Sequence, residues 1–281
     1  MLNIGNSTLL DYAEIKHHER ENADIAAIAD NTVNTWQPWR KETEKYADTT
    51  LGKLAEDAVM TLFAKLSIAG YYPYDSFRTD GFKLHAPLDG IFSANFPRKL
   101  IDLINEDVQR SEGRLSVATR EAIRAANAYS VEIKSTRLAE KYKTRAGFTS
   151  YNDAASVRSL VGYLMNLDFL CYPHFVRCGD MTYDQYCLFA EKRLNTHLPL
   201  NELKEKVREN ELLHAYDILI RVFMDEENKK AIVMGWIDRF RFFSSPILRK
   251  LPSKNKSENA LYFVKPLKYG FPLRDLGKLF E

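Results

Sequence analysis

The chain has 281 residues, 45% of them apolar and 12% aromatic, which is enough for a substantial core and excludes intrinsic disorder. Its 40 Lys and Arg residues nearly balance 38 Asp and Glu, and the net charge of +2 alone does not indicate nucleic-acid binding. No apolar run approaches the ~18 residues of a membrane span, the start does not resemble a secretory signal, and there are three cysteines. We therefore predict a cytoplasmic globular protein without a disulfide framework.

Hydrophobic periodicity and turn residues predict a mixed order of helices and strands. Residues 1–48 are predicted to form a mostly helical extension with a loop at Trp36, Pro38 and Trp39. The next elements are a helix over 51–66 capped by Asp48, Thr49 or Thr50, a hairpin of strands 71–79 and 82–88 around Asp80-Gly81, and helices over 98–126 broken near Gly113. After these come a strand over 129–135, a basic loop over 137–147, a helix over 153–166 and a strand over 169–176. The last are helices over 183–194 and 202–222, a strand over 230–237 and a basic, loop-rich tail from Pro246.

The predicted strand over 129–135 carries the first chemical signal. Side chains alternate along a strand, so Glu132 and Lys134 lie on one face, roughly 6–7 Å apart along the strand. A carboxylate that holds a divalent cation and a lysine that steers a water suit phosphodiester hydrolysis. The alternative is an ordinary solvated strand face. Other Glu-x-Lys pairs begin at residues 14, 202 and 227, but they lie in helical or turn-like patterns, where residues two apart do not share a strand face.

Two further acids precede this strand. Asp89 lies between Leu88 and Ile91, where burial of a carboxylate is costly unless a cation or a donor pairs with it. The alternative is that Asp89-Gly90 forms a second hairpin turn. Glu56 lies at the border of the apolar stripe of the first helix, whereas Asp57 is predicted to face solvent. Glu56 could otherwise be a boundary residue paired with a lysine.

The order of these features resembles the PD-(D/E)xK nucleases, the restriction-endonuclease-like superfamily. The matching segments, over roughly residues 50–178, are Gly52-Lys53-Leu54-Ala55-Glu56, Leu88-Asp89-Gly90 and Val131-Glu132-Ile133-Lys134. The resemblance implies that Asp89, Glu132 and the Ile133 carbonyl bind Mg²⁺, for which Mn²⁺ can substitute. It also implies that Lys134 orients the attacking water and that Glu56 assists at the metal. The sequence departs from the family where Leu88 replaces the usual proline and where 43 positions separate Asp89 from Glu132.

The resemblance implies an α/β (α+β) fold in which a central mixed sheet is flanked by helices. We predict a helical extension over 1–48, a nuclease core over 49–178 with a helical insertion over 98–126, and an α/β extension over 179–281 for DNA binding or dimerisation. The predicted function is a Mg²⁺-dependent DNA endonuclease of restriction-like type that acts as a homodimer. Two alternatives stay open: a repair, recombination or phage-type exonuclease or structure-specific nuclease, and a non-catalytic DNA-binding or assembly protein.

Two further groups of residues are candidates for binding. Basic and polar residues after the strand could contact DNA phosphates, unless they form a solvated turn: Ser135, Thr136, Arg137, Lys141, Lys143 and Arg145. The stretch from 238 to 268 is also basic, with eight Lys or Arg residues against two acids. Separately, Cys171, His174, Cys178 and Cys187 have the residue types of a zinc site, although the helical pattern around Cys187 favours a core position.

Overall fold

The structure is a computed structural model that describes residues 1–11, 41–171, 181–252 and 259–280. Within these ranges the chain forms ten strands and eight helices, together with 3₁₀ segments, of which the longest, Leu273–Phe280, follows the last strand. The strands are β1 Leu2–Ile4, β2 Ser7–Asp11, β3 Tyr71–Pro73, β4 Gly90–Ser93, β5 Ala128–Arg137, β6 Asp168–Cys171, β7 Ile218–Asp225, β8 Lys230–Asp238, β9 Ile247–Pro252 and β10 Asn259–Pro266. The helices are α1 Glu42–Lys65, α2 Arg98–Arg110, α3 Val117–Ala125, α4 Glu140–Arg145, α5 Ala154–Leu164, α6 Tyr183–Arg193, α7 Leu200–His214 and α8 Arg239–Phe242.

A seven-stranded mixed sheet forms the centre of the fold, in the order β1-β2-β8-β7-β5-β4-β3. Strands β5 and β7 run parallel, with Lys134 opposite Arg221, and the other pairs are antiparallel. A parallel pair needs a crossover connection, which here contains helices α4 to α7 and strand β6. The predicted α/β class with a mixed sheet flanked by helices is confirmed.

The two faces of this sheet are covered differently. Helix α1 packs on one face, where Leu51, Val59 and Leu62 meet Val131 and Ile133 of β5 in one hydrophobic cluster. On the other face, α2 and α3 cover the β4 end, and α5, α6 and α7 cover the β7–β8 end. A second sheet, in the order β6-β10-β9, contributes to the cluster beside α5, α6 and α7. The side chains of β5 that alternate with Val131 and Ile133 therefore point away from α1.

Local periodicity predicted several elements correctly. The helices over 153–166 and 183–194, the strands over 129–135 and 230–237, and the break in the helical region 98–126 are confirmed. The first helix is also confirmed, but it begins at Glu42. Asp48, Thr49 and Thr50 therefore lie inside α1 and do not cap it.

The predicted hairpin around Asp80-Gly81 is wrong. Only Tyr71–Pro73 forms a strand, and its partner is Gly90–Ser93. Arg78 donates to both oxygens of Asp80 and to the Leu84 carbonyl, at 2.7–2.9 Å. These hydrogen bonds hold the segment between β3 and β4 as a compact loop and leave no ladder for a second strand.

Four other predicted segments need correction. The helical extension is wrong for residues 2–11, which form β1 and β2, while 12–40, with Trp36, Pro38 and Trp39, lie outside the described residues. The helix over 202–222 ends at His214, because Ile218–Asp225 pairs on both sides as β7. The basic loop contains helix α4, and the tail contains β9 and β10. The strand over 169–176 is described only for Asp168–Cys171, and the rest of it lies outside the described residues.

Strands from all three predicted domains contribute to the same central sheet: β1 and β2 from 1–48, β3 to β5 from 49–178, and β7 and β8 from 179–281. The boundaries at residues 48 and 178 stay predictions. Within the described ranges, no helix combines the length and the apolar composition that a bilayer crossing requires.

Candidate active site

Glu132 and Lys134 lie side by side on β5, as the strand alternation predicted. Their side chains form an ion pair on the face of the sheet opposite α1. The Glu132 side chain is 9% exposed, whereas the Lys134 side chain is 33% exposed. A solute can therefore reach the lysine end of the pair, although the glutamate is largely covered.

Asp89 immediately precedes β4 and is joined to β5 by two hydrogen bonds. Its main-chain N–H donates to the Val131 carbonyl at 3.0 Å, and the Ile133 N–H donates to Asp89 Oδ2 at 2.5 Å. Backbone groups of residues two apart in a strand point to the same edge, so the Ile133 carbonyl also points to the Asp89 side. The sequence-predicted residues 89, 132, 133 and 134 are thus neighbours. Asp89-Gly90 is not a hairpin turn, because β4 begins at Gly90.

Tyr71 fixes the position of Asp89 from the neighbouring strand β3. Its hydroxyl donates to the Asp89 carbonyl at 3.2 Å, and the ring lies directly over Gly90. A Cβ at position 90 would lie 2.6 Å from Cε2, Cζ and Oη of Tyr71, so a larger residue would displace this side chain. The Asp89 carbonyl also accepts from the Tyr74 N–H at 2.9 Å, which leaves the main chain little freedom at this point.

The electrostatics at Asp89 show an excess of negative charge. Burial raises the pKa of Asp89 well above its ordinary value, and the carboxylates of Glu132 and Glu56 raise it further. The ammonium groups of Lys53 and Lys134 act in the opposite direction without cancelling the effect. A divalent cation at Asp89 would offset the repulsion from Glu132 and Glu56, which adds to the effect of burial on this pKa.

Lys134 is held in its charged form. Burial lowers the pKa of Lys134, but Glu132, Tyr216 and Asp89 outweigh burial, so the net pKa is raised. The side chain can therefore donate hydrogen bonds and balance negative charge at neutral pH, but it cannot accept a proton as a base.

Glu56 belongs to a second charged cluster, carried by α1. Lys53, one turn earlier, lies 2.8 and 2.9 Å from the two Glu56 oxygens and 2.8 Å from Asp75. Burial lowers the pKa of Lys53, but Glu56, Asp75 and Asp89 together raise it above its ordinary value. Glu56 is therefore paired with a lysine and at the same time acts electrostatically on Asp89.

The prediction that Asp57 faces solvent is wrong. Glu56 and Asp57 are each 7% exposed, because α1 is buried on more than one side from Ala55 to Val59. An assignment from one apolar stripe assumes a single covered face and fails for such a helix.

The predicted DNA-binding residues divide into two groups. Arg137 contacts Asp48 at 2.5 Å and Glu226 at 2.7 Å, Lys143 contacts Asp225 at 2.9 Å, and Thr136 accepts from Arg221 at 2.6 Å. Lys143 is buried and paired within the protein, so its charge stabilises the fold and does not face a polyanion. Ser135 is half-buried, whereas Lys141 and Arg145 are exposed on α4 and remain available to a polyanion.

Three residues around the Glu132–Lys134 pair were not predicted, namely His85, Arg120 and Tyr216, and Cys171 was predicted only as a zinc ligand. The pKa of His85 is lowered by burial, and it responds to Glu132 and Lys134. Burial raises the pKa of Tyr216, and so does Glu132. Arg120 lies over the Tyr216 ring, 5.4 Å from its centre. These contacts join β5 to distant loops and helices, so no local pattern in the sequence indicates them.

The donors around Asp89 are oxygen atoms, the ligand type that a hard cation such as Mg²⁺ prefers. They consist of the Asp89 and Glu132 carboxylates and the Ile133 carbonyl. Among the described residues, no three His, Cys, Asp or Glu side chains form a ready-made metal site.

For the predicted zinc set, Cys171 and Cys187 are buried thiols, and His174 and Cys178 lie outside the described residues. Burial raises the pKa of Cys171 to about 12.

Comparison of the chain with protein-family models, with curated proteins and with solved structures found no match in any of the three.

Proposed function

We propose that this protein is a Mg²⁺-dependent DNA endonuclease, as the resemblance to the PD-(D/E)xK nucleases implies. The observation that carries the proposal is the hydrogen bond from Ile133 N–H to Asp89 Oδ2, which aligns the Asp89 carboxylate with the Glu132–Lys134 pair. An acid just before β4 and an acid–lysine pair on the neighbouring strand β5 thus interact electrostatically.

Each residue of the candidate site would have a separate role in metal binding or in catalysis. Asp89, Glu132 and the Ile133 carbonyl would hold Mg²⁺, which supplies charge neutralisation at the phosphate and makes water more acidic. Lys134, kept as an ammonium by Glu132 and Asp89, would donate to the attacking water and offset charge on the phosphate. Lys53 and Asp75 would position Glu56 beside Asp89.

The test is incubation of circular and linear duplex DNA with the protein in Mg²⁺ or Mn²⁺. We expect the wild type to cut circles, and Lys134→Ala or Glu132→Gln to lower the rate by roughly 100-fold or more. Lys229→Ala and Glu227→Gln supply matched controls, because this Glu-x-Lys pair lies in the exposed turn between β7 and β8. Both controls should cut at the wild-type rate.

Other outcomes would select the alternatives. Loss of linear DNA with intact circles would indicate an exonuclease, and retardation without cutting would indicate a DNA-binding or assembly protein. Equal cutting by wild type and Lys134→Ala would overturn the assignment of the site. A homodimer, the simplest arrangement for cutting both strands, is part of the proposal, and sedimentation with and without DNA measures it.

A second readout does not depend on turnover. A ligand that binds the folded state raises thermal stability, so Mg²⁺ should raise the Tm of the wild type. The increase should be absent in Glu132→Gln and retained in Glu227→Gln.

A further inference from the structure

Arg120 is a buried arginine whose hydrogen-bonding capacity is only partly used. The residue is 6% exposed, and its Nε and Nη1 atoms have no hydrogen-bond partner among the described residues. Buried polar groups are nearly always paired, and an unpaired guanidinium is among the most costly exceptions. The contact with the Tyr216 ring does not compensate for this cost, since a ring face is a weaker partner than an oxygen acceptor.

The acid nearest in sequence to Tyr216 is committed to other partners. Asp217 Oδ1 accepts from Arg124 at 2.8 Å and forms an ion pair with Arg239 Nε at 3.3 Å. Asp217 Oδ2 accepts from Ser130 N–H and Oγ at 3.0 and 2.7 Å. Arg124 and Arg239 also donate to main-chain carbonyls at the end of α7. Two arginines thus pair with Asp217, whereas Arg120 interacts with its charge without a direct contact and keeps unused donors.

The unused donors lie close to the candidate active site. Tyr216 interacts electrostatically with Arg120 and also with Glu132, Lys134 and Asp89. Cys171, on β6, likewise interacts with Arg120 as well as with Lys134 and Glu132. Arg120, which lies over the Tyr216 ring, and the Glu132–Lys134 pair therefore share Tyr216 as a neighbour.

We propose that Arg120, supported by Tyr216, binds one phosphate group of the DNA strand next to the phosphate that is cut. A planar guanidinium with free donors matches two oxygens of a phosphate. The identity of the phosphate rests on the proposed nuclease function, whereas the anion site rests on Arg120 alone. The phosphate can be an internal one or a terminal one at a strand end.

The first experiment uses inorganic phosphate with the metal-free protein. Thermal unfolding is measured in phosphate and in chloride of equal ionic strength, for the wild type, Arg120→Gln and the control Arg114→Gln, which changes an exposed arginine just before α3. We expect phosphate to raise the Tm of the wild type and of Arg114→Gln but not of Arg120→Gln. Equal phosphate effects in all three proteins, or none in any, would overturn the site.

The second experiment uses 5′-phosphorylated and 5′-hydroxyl duplexes in Ca²⁺, with DNA integrity checked on gels. Fluorescence anisotropy should show binding by Arg120→Gln on the order of ten-fold weaker than by wild type. The slope of log affinity against log salt should fall by about one. Equal weakening for both duplexes assigns an internal phosphate, and weakening only for the 5′-phosphorylated duplex assigns a terminal one. Unchanged affinity and slope would overturn the proposal.

Folding and function can be separated in this design. Arg120→Lys keeps the charge but not the fork of donors, so it provides a folded variant with intermediate affinity if Arg120→Gln is unstable. If the wild type neither binds nor cuts DNA but its response to phosphate requires Arg120, the nuclease proposal fails and the anion site stands. If wild type and Arg120→Gln bind and cut DNA equally, the anion site at Arg120 fails and the nuclease proposal stands.

Discussion

At the residue scale, the site is a balance of buried charges around Asp89. Glu132 and Glu56 repel its carboxylate from the two faces of the sheet, and Lys134 and Lys53 attract it. Each lysine is itself paired with one of these glutamates, so neither is available to Asp89 alone. The fold therefore tolerates a carboxylate at a position where it is stabilised poorly, which is typical of a site built for a ligand.

Asp89→Asn should raise the stability of the metal-free protein at neutral pH. Because the folded-state pKa of Asp89 is raised, ionising this carboxylate costs stability as pH rises from about 4 through the folded-state pKa. Asparagine keeps an oxygen for the Ile133 N–H but carries no charge. Each unit of raised pKa corresponds to about 1.4 kcal/mol, so the gain should be about 1 kcal/mol or more at neutral pH and vanish near pH 3.5.

Thermal unfolding between pH 3.5 and pH 8 measures this gain. Asp102→Asn on the exposed side of α2 is the control, and it should be no more stable than wild type at pH 7. A pH-independent difference for Asp89→Asn, or a lower stability at pH 7, would contradict the account of charge at this site.

At the element scale, what could be predicted depended on whether the signal was local. The alternation of β5 placed Glu132 and Lys134 together, and the helical stripe of α1 placed Glu56 beside the core. Strand β7 was missed because it is buried on both faces, and its run of Ile, Leu, Val and Phe has no period of two. A helical pattern could have indicated Lys53, because it lies three residues before Glu56 on α1. No local pattern could have indicated Asp75 or Arg120, because tertiary packing alone brings them to the site.

Helix α4 shows how a basic segment can serve the fold. Lys143 is 7% exposed and pairs with Asp225, whose side chain is 2% exposed. Asp225 also accepts from Tyr151 at 2.7 Å. Lys141, two residues earlier, is exposed over the Tyr142 ring. The two lysines therefore have opposite roles despite their proximity in sequence.

Lys143→Met should destabilise the protein by about 3 kcal/mol, because it leaves a buried carboxylate without its cation. Lys141→Met should change the free energy of unfolding by no more than about 0.5 kcal/mol. Urea unfolding of the two variants measures the difference. If Lys143→Met were as stable as wild type, the buried pair would contribute nothing. If the protein binds DNA as proposed, the salt dependence of the affinity should change for Lys141→Met only.

At the scale of the whole molecule, the candidate site depends on strands that are distant along the chain. Strand β5, which carries Glu132 and Lys134, has β4 on one side and β7 on the other. The Arg221 side chain of β7 donates to the Lys134 carbonyl at 3.1 Å. Ile218, Ile220 and Val222 complete the apolar cluster under α1. The site therefore requires residues beyond the predicted core of 49–178.

A fragment spanning residues 49–178 should not fold cooperatively. It begins inside α1, and it leaves β5 as an edge strand whose parallel partner is missing, with apolar side chains exposed on both faces. Circular dichroism should show no sharp thermal transition, whereas the full chain should unfold cooperatively. Hydrogen exchange should find β5 unprotected in the fragment and among the most protected strands in the full chain. A fragment with a sharp transition and a Mg²⁺-dependent rise in Tm would show instead that β7 and β8 are dispensable for the site. In that case the segment 179–281 would be an addition to an independent core, as the sequence predicted.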